Sequence, residues 1–124
     1  MDTPEVIVAR MIAACSAKDI DAVLACFSDD ARYHNIPLEP VFGHEGIRAV
    51  LEPFLASASD VDFVTHATLG NGVDLVMNER TDRFLMSGGW VELPVMGVFE
   101  VHGGKITAWR DYFDMAPMRP LLGG

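Results

Sequence analysis

Arg80 and Asp82 in the string NERTDRF, Asp111 in WRDYFD, and Tyr33 and Asn35 in RYHNIPLEP have the types and spacing for acid–base chemistry on water. All three strings read as strand, and residues two apart in a strand point to the same face. Tyr33 and Asn35 therefore look one way together, as do Arg80 and Asp82. Two carboxylates bridged by a guanidinium, with a phenol and an amide to hold a water, predict hydrolysis without metal or cofactor.

Each residue also has an ordinary reading. Arg80 and Asp82 alone are a same-face ion pair, Asp111 beside Arg110 an exposed strand end, Tyr33 a core aromatic, and Asn35 a turn former ahead of a Pro-bearing loop. The flanking residues, however, are strongly apolar, and a charge buried among them must be paired. Two carboxylates around one arginine do not ionise equally, so their proton affinities separate into one acid and one base.

The elements that must hold these groups follow from pattern. Thr3-Pro4 starts a helix whose apolar positions run to about Ala17, and Asp19 caps a second with a stripe of Ile20, Val23, Leu24 and Phe27, ended by Ser28-Asp29-Asp30. A short strand over 31–35 enters a Pro-containing loop, and Gly43 opens a third helix with an apolar face of Ile47, Val50, Leu51, Phe54 and Leu55. Pro53 either bends that helix or divides it into two short pieces. From residue 61 the period becomes two, and the turn signals Gly70-Asn71-Gly72, Ser87-Gly88-Gly89 and His102-Gly103-Gly104 separate strands at 61–69, 73–85, 90–101 and 105–113. Pro94 implies a bulge or an edge position. Residues after Asp114 read as an extended tail packed loosely on the rim, with Pro117, Pro120 and Gly123-Gly124.

Helices first and antiparallel strands afterwards predict one α+β domain over 1–124, with helices covering one face of a curved sheet. Parity places Val76, Asn78 and Phe84 with Arg80 and Asp82, and Thr107, Trp109 and Phe113 with Asp111. Val76, Phe84, Trp109 and Phe113 are the expected apolar wall of a small-molecule pocket, and Met86, Val95 and Met96 contribute where parity allows.

Composition narrows the function classes. A formal net charge of -9, with only nine Lys and Arg, argues against nucleic acid and anionic membrane surfaces. Charged residues and turns interrupt every apolar run, so no membrane span is expected. Asp2 and Glu5 stand where a signal peptide carries positive charge, which makes a cytoplasmic location the expectation. Cys15 and Cys26 lack CxxC spacing and read as small buried hydrophobes, and His34, His44, His66 and His102 show no paired ligand spacing, so no metal is expected.

The strings YHNIPLEPVFG, ERTD and LPVMGVFEVHGGKITAWRDYFD closely resemble the limonene-1,2-epoxide hydrolase family. That family belongs to the wider group whose fold is similar to nuclear transport factor 2 and ketosteroid isomerase. The likeness runs through nearly the whole chain in order. It implies a mixed six-stranded curved sheet with helices in its concavity, so a sixth short strand is expected, around Val41-Phe42 or near the N-terminal loop. It also implies a homodimer formed through the sheets, no cofactor, and a small apolar epoxide and water as substrates. The family's catalytic Asp-Arg-Asp set falls on Asp82, Arg80 and Asp111, and its water-holding pair on Tyr33 and Asn35. Two other readings stand beside this one: an isomerase or cyclase of the ketosteroid isomerase or SnoaL type, and a non-enzymatic binding module.

Overall fold

The computed structural model describes residues 2–119. Helix α1 (Pro4–Ser16) starts where Thr3 accepts a hydrogen bond from the Val6 amide at 3.2 Å, and proline occupies the first helical position. Past its Ala17 cap, Lys18 with a φ of 58° reverses the chain, and its Nζ donates to the Ala58 carbonyl at 2.6 Å. Asp19 then caps the five-residue α2 (Ile20–Leu24) by accepting from the Ala22 amide.

The chain next leaves the helical period earlier than its apolar stripe implies. Strand β1 (Phe27–Asn35) already begins at Phe27, which belongs to the strand rather than to the helix. Phe27 is drawn there because it pairs with Ile106 and stacks on Trp109 at 5.9 Å between ring centroids. The sixth strand is β2 (Val41–Phe42), at one of the expected places, pairing with Arg32 and Tyr33. Helix α3 (Gly43–Ser57) is a single 15-residue helix that carries Pro53 inside it and buries Ile47, Leu51 and Leu55. The four long strands β3 (Asp60–Gly70), β4 (Leu75–Met86), β5 (Gly89–His102) and β6 (Lys105–Tyr112) complete one curved, open sheet in the order β2-β1-β6-β5-β4-β3. Only β1 and β6 run parallel.

Pro94 is at a local edge. The β4–β5 register is unbroken from Leu75 opposite Glu100 to Met86 opposite Gly89, whereas β6 reaches β5 only from Met96 onward. Pro94 therefore lies beyond the end of β6, on the side where no amide is required of it.

The helices pack on one face of the sheet, α1 against β3 and β4, α3 against β1, around a core that includes Met11, Cys15, Ile47, Phe99 and Trp109. Both cysteines are buried free thiols. A second cluster of Leu93, Val95 and Met118, with Phe54, Phe113 and Met115 against it, closes the open end. Its third buried member corrects the expectation for the tail: Ala116–Met118 is a turn of 3-10 helix that buries Met118 rather than an extended, loosely packed segment. Pro120 and Gly123-Gly124 lie outside the described residues.

Candidate active site

The buried polar side chains among the described residues are Asn78, Arg80, Asp82 and Asp111, and they form one cluster. Arg80 is its centre. Its Nε and Nη2 donate to the two oxygens of Asp82 at 3.0 Å each, a bidentate pair, and Nη2 also donates to Asp111 Oδ2 at 2.8 Å. The remaining nitrogen, Nη1, donates to Asn78 Oδ1 at 2.7 Å. Phe63 and Trp109 flank the guanidinium, with ring centroids 5.8 and 6.0 Å away.

Register explains how residues 31 apart in sequence meet. Asn78 on β4 pairs with Gly97 on β5, Gly97 with Asp111 on β6, and Asp111 with Asn35 on β1, so one row crosses four strands. Gly97 is the gap in that row. A Cβ there would collide with Arg80 Nη1 and sit 2.6 Å from Asn78 Oδ1 and 2.9 Å from Phe99. The missing side chain is what lets the guanidinium reach from β4 across to Asp111.

On the neighbouring row Tyr33 pairs with Trp109 and stacks on it at 4.3 Å. The Trp109 indole N–H donates to Asp111 Oδ1 at 2.6 Å, so both Asp111 oxygens accept a hydrogen bond. The Tyr33 hydroxyl donates to Asn35 Oδ1 at 3.2 Å. His34 points away and contacts the Leu38 carbonyl at 2.9 Å.

Asp82, Asp111, Tyr33 and Asn35 all line one cavity. Arg80 does not reach it, because its side chain is fully buried behind the two carboxylates. Phe84, Trp109 and Phe113 line the cavity, as the strand parities lead one to expect. Val76 does not. It is fully buried in the main core opposite Phe99, on the correct face but at the wrong depth, since parity fixes the face of a strand and not the distance along it. Val95 packs in the cluster with Leu93 and Met118, Met86 against the core, and Met96 lies on the outer face, 46% exposed. Thr107 sits at the β5–β6 register shift and spends its hydroxyl on the Glu100 carbonyl.

The rest of the wall escaped sequence reasoning. Leu51 and Phe54 come from α3, Leu38 from the loop before it, Leu93 from β5, and Met118 from the tail. Phe63 had a signal that could have found it, since it lies directly opposite Asp82 in the antiparallel β3–β4 ladder.

Burial dominates the electrostatics. It pushes the Asp82 carboxyl up to about 6, with the Asp111 charge adding to the rise and Arg80 opposing it. Burial by itself would lower Arg80, but the two carboxylates outweigh it and hold the guanidinium charged. Burial and the nearby Asp111 raise the Tyr33 phenol well above its ordinary value, so it stays a neutral hydroxyl. The site thus holds a protonatable acid, a second carboxylate with two N–H donors, and a neutral hydroxyl–amide pair, at the end of an apolar chamber.

The fold that carries this site is that of the nuclear transport factor 2-like proteins. An NTF2-like protein from Burkholderia pseudomallei K96243 is similar in fold, with 20% identity, a TM-score of 0.82 and 97% of both chains covered. Within that fold the chain belongs to the limonene-1,2-epoxide hydrolase family, matching the limonene-1,2-epoxide hydrolase catalytic domain over residues 3–120. It is 34% identical over 112 residues to epoxide hydrolase EphG of Mycobacterium tuberculosis H37Rv, which covers 90% of this chain and 74% of EphG. A solved M. tuberculosis LEH-like epoxide hydrolase is similar too, at 32% identity and a TM-score of 0.77, covering 94% of this chain and 86% of that one. No described helix is long and apolar enough to cross a membrane.

Proposed function

We propose that this protein is a cofactor-independent epoxide hydrolase that converts a small apolar, cyclic epoxide into a vicinal diol by direct attack of water. The observation that carries this reading is the pair of buried carboxylates, bridged by Arg80 and opening together onto an apolar cavity, of which one is pushed up to about 6.

An epoxide is strained but its leaving group is an alkoxide, so ring opening needs a proton on oxygen as carbon is attacked. Asp111 acts as the base and takes a proton from a water that Tyr33 and Asn35 also hold. That water's oxygen bonds to an epoxide carbon, the carbon–oxygen bond breaks, and Asp82 gives its proton to the departing oxygen. Arg80 touches neither substrate nor water. It holds the two carboxylates at fixed separation by donating to both. Proton return from Asp111 to Asp82 through solvent resets the site. No covalent intermediate forms.

Because Asp82 must carry a proton, kcat/KM should fall by about tenfold per pH unit above the Asp82 value of about 6. A rate profile on the free enzyme checks this, and kcat/KM rising through pH 8 would contradict Asp82 as the acid. The outer face of the sheet, with Met77, Met96 and Tyr112 each 39–46% exposed, supports a homodimer formed through the sheets. Light scattering after size exclusion should give twice the chain mass, and a monomer at micromolar concentration would exclude that arrangement.

The function is tested by diol formation from a panel containing cyclohexene oxide and limonene oxide, in buffer treated with chelator. The expected result is turnover unaffected by chelator. Turnover that needs added metal would remove the cofactor-independent mechanism.

A further inference from the structure

We propose that Asn78 is a positioning residue: a neutral hydrogen-bond acceptor that locks the Arg80 guanidinium in the orientation from which it bridges Asp82 and Asp111. The inference rests on the catalytic assignment above and goes beyond it, because Asn78 does not line the substrate cavity.

Arg80 is 1% exposed, and its donors must all find acceptors inside the protein. Nε and Nη2 are spent on the carboxylates, which leaves Nη1 pointing along β4 toward Asn78, two residues back on the same face. Asn78 is itself 3% exposed and meets Nη1 at 2.7 Å. That contact fixes the rotation of the guanidinium about its stem, and with it which nitrogen faces Asp111. The bond lies over Gly97, where a side chain would strike both partners, so the space is shaped around the pair.

The acceptor's neutrality matters as much as its place. A third carboxylate would satisfy Nη1 equally well, but one cation would then face three anions, and the cluster would hold its protons to higher pH. An amide satisfies the donor and leaves the charge count of the acid–base pair unchanged. The titratable groups facing this arrangement are Arg80 and Asp82 on β4, Asp111 on β6, Tyr33 on β1 and Cys15 on α1. Glu5 on α1 borders the groove that Asn78 also lines.

Two variants test the proposal. Asn78→Leu removes the acceptor at similar size and should lower kcat by about tenfold or more while KM stays within about twofold, because Arg80 is freed to turn and the cavity is untouched. Asn78→Asp keeps the acceptor and adds charge, so the alkaline limb of the rate profile should move up by about one pH unit. The same shift should appear when the Asp82 carboxyl is titrated by carbon NMR in substrate-free protein. An Asn78→Asp protein whose Asp82 titration and rate limb match the parent would overturn the proposal, whether or not Asn78→Leu folds. So would an Asn78→Leu protein with unchanged kcat. The NMR readout separates this claim from the catalytic one. A shifted Asp82 titration in a protein that opens no epoxide would uphold the role of Asn78 toward Arg80 and discard hydrolysis.

Discussion

Asp111→Asn is expected to lower kcat/KM by about 10³- to 10⁵-fold with the fold intact. The loss has two parts. An amide cannot take the proton from water, which removes the base. The Asp111 charge also helps to raise the Asp82 carboxyl, so removing it lets Arg80 pull that group down and leaves less of the protonated acid at neutral pH. One substitution therefore weakens both ends of the reaction. Stability should fall modestly, because the amide offers one oxygen where Arg80 Nη2 and Trp109 Nε1 each require an acceptor. The check is steady-state turnover beside a denaturation curve. A folded Asp111→Asn protein with activity within about tenfold of the parent would remove Asp111 as the base.

Arg80→Met is expected to destabilise the protein by about 3–5 kcal/mol at neutral pH, the usual cost of leaving buried charge without its partner. It strands Asp82 and Asp111 against each other and leaves Asn78 Oδ1 without its donor. The sign of the pH dependence follows. Without the guanidinium nothing opposes the burial that raises Asp82, so its carboxyl binds a proton more tightly in the folded than in the unfolded chain, and the stability of the variant is fully present below the unfolded value near 4 and is lost as pH rises through the raised folded value. The deficit relative to the parent should shrink at pH 4 and reach its full size by about pH 8. Urea unfolding of both proteins at the two pH values reads it directly. An equal deficit at both would mean that lost packing, and not stranded charge, is what Arg80 prevents.

How far the sequence foretold the site depends on the kind of question asked of it. Strand alternation put Arg80, Asp82 and Asn78 on one face because a period of two holds where a strand carries no bulge, and the same rule joined Tyr33 to Asn35 and Trp109 to Asp111. Meeting across strands is a matter of register, and family likeness supplied what alternation could not, namely that Asp111 belongs in one set with Arg80 and Asp82. Depth was illegible. Val76 has the right parity but lies under the core, while Leu51, Phe54 and Met118 reach the cavity from a helix and a tail that no strand rule connects to it. Phe27 continued a helical stripe and still became strand, because its partners Ile106 and Trp109 lie far along the chain. Strand β2 is two residues long and has no period to read. Asn78 was visible on the correct face, yet nothing short of the Arg80 geometry distinguishes an amide that orients a guanidinium from one that fills a strand.

A single-turnover reaction with cyclohexene oxide, with enzyme in excess in heavy-oxygen water, tests the central claim most directly. Direct attack predicts diol carrying one solvent oxygen from the first turnover and no label in any carboxylate of the protein. Unlabelled diol in that turnover with label appearing on Asp82 or Asp111, or no diol at all, would contradict it.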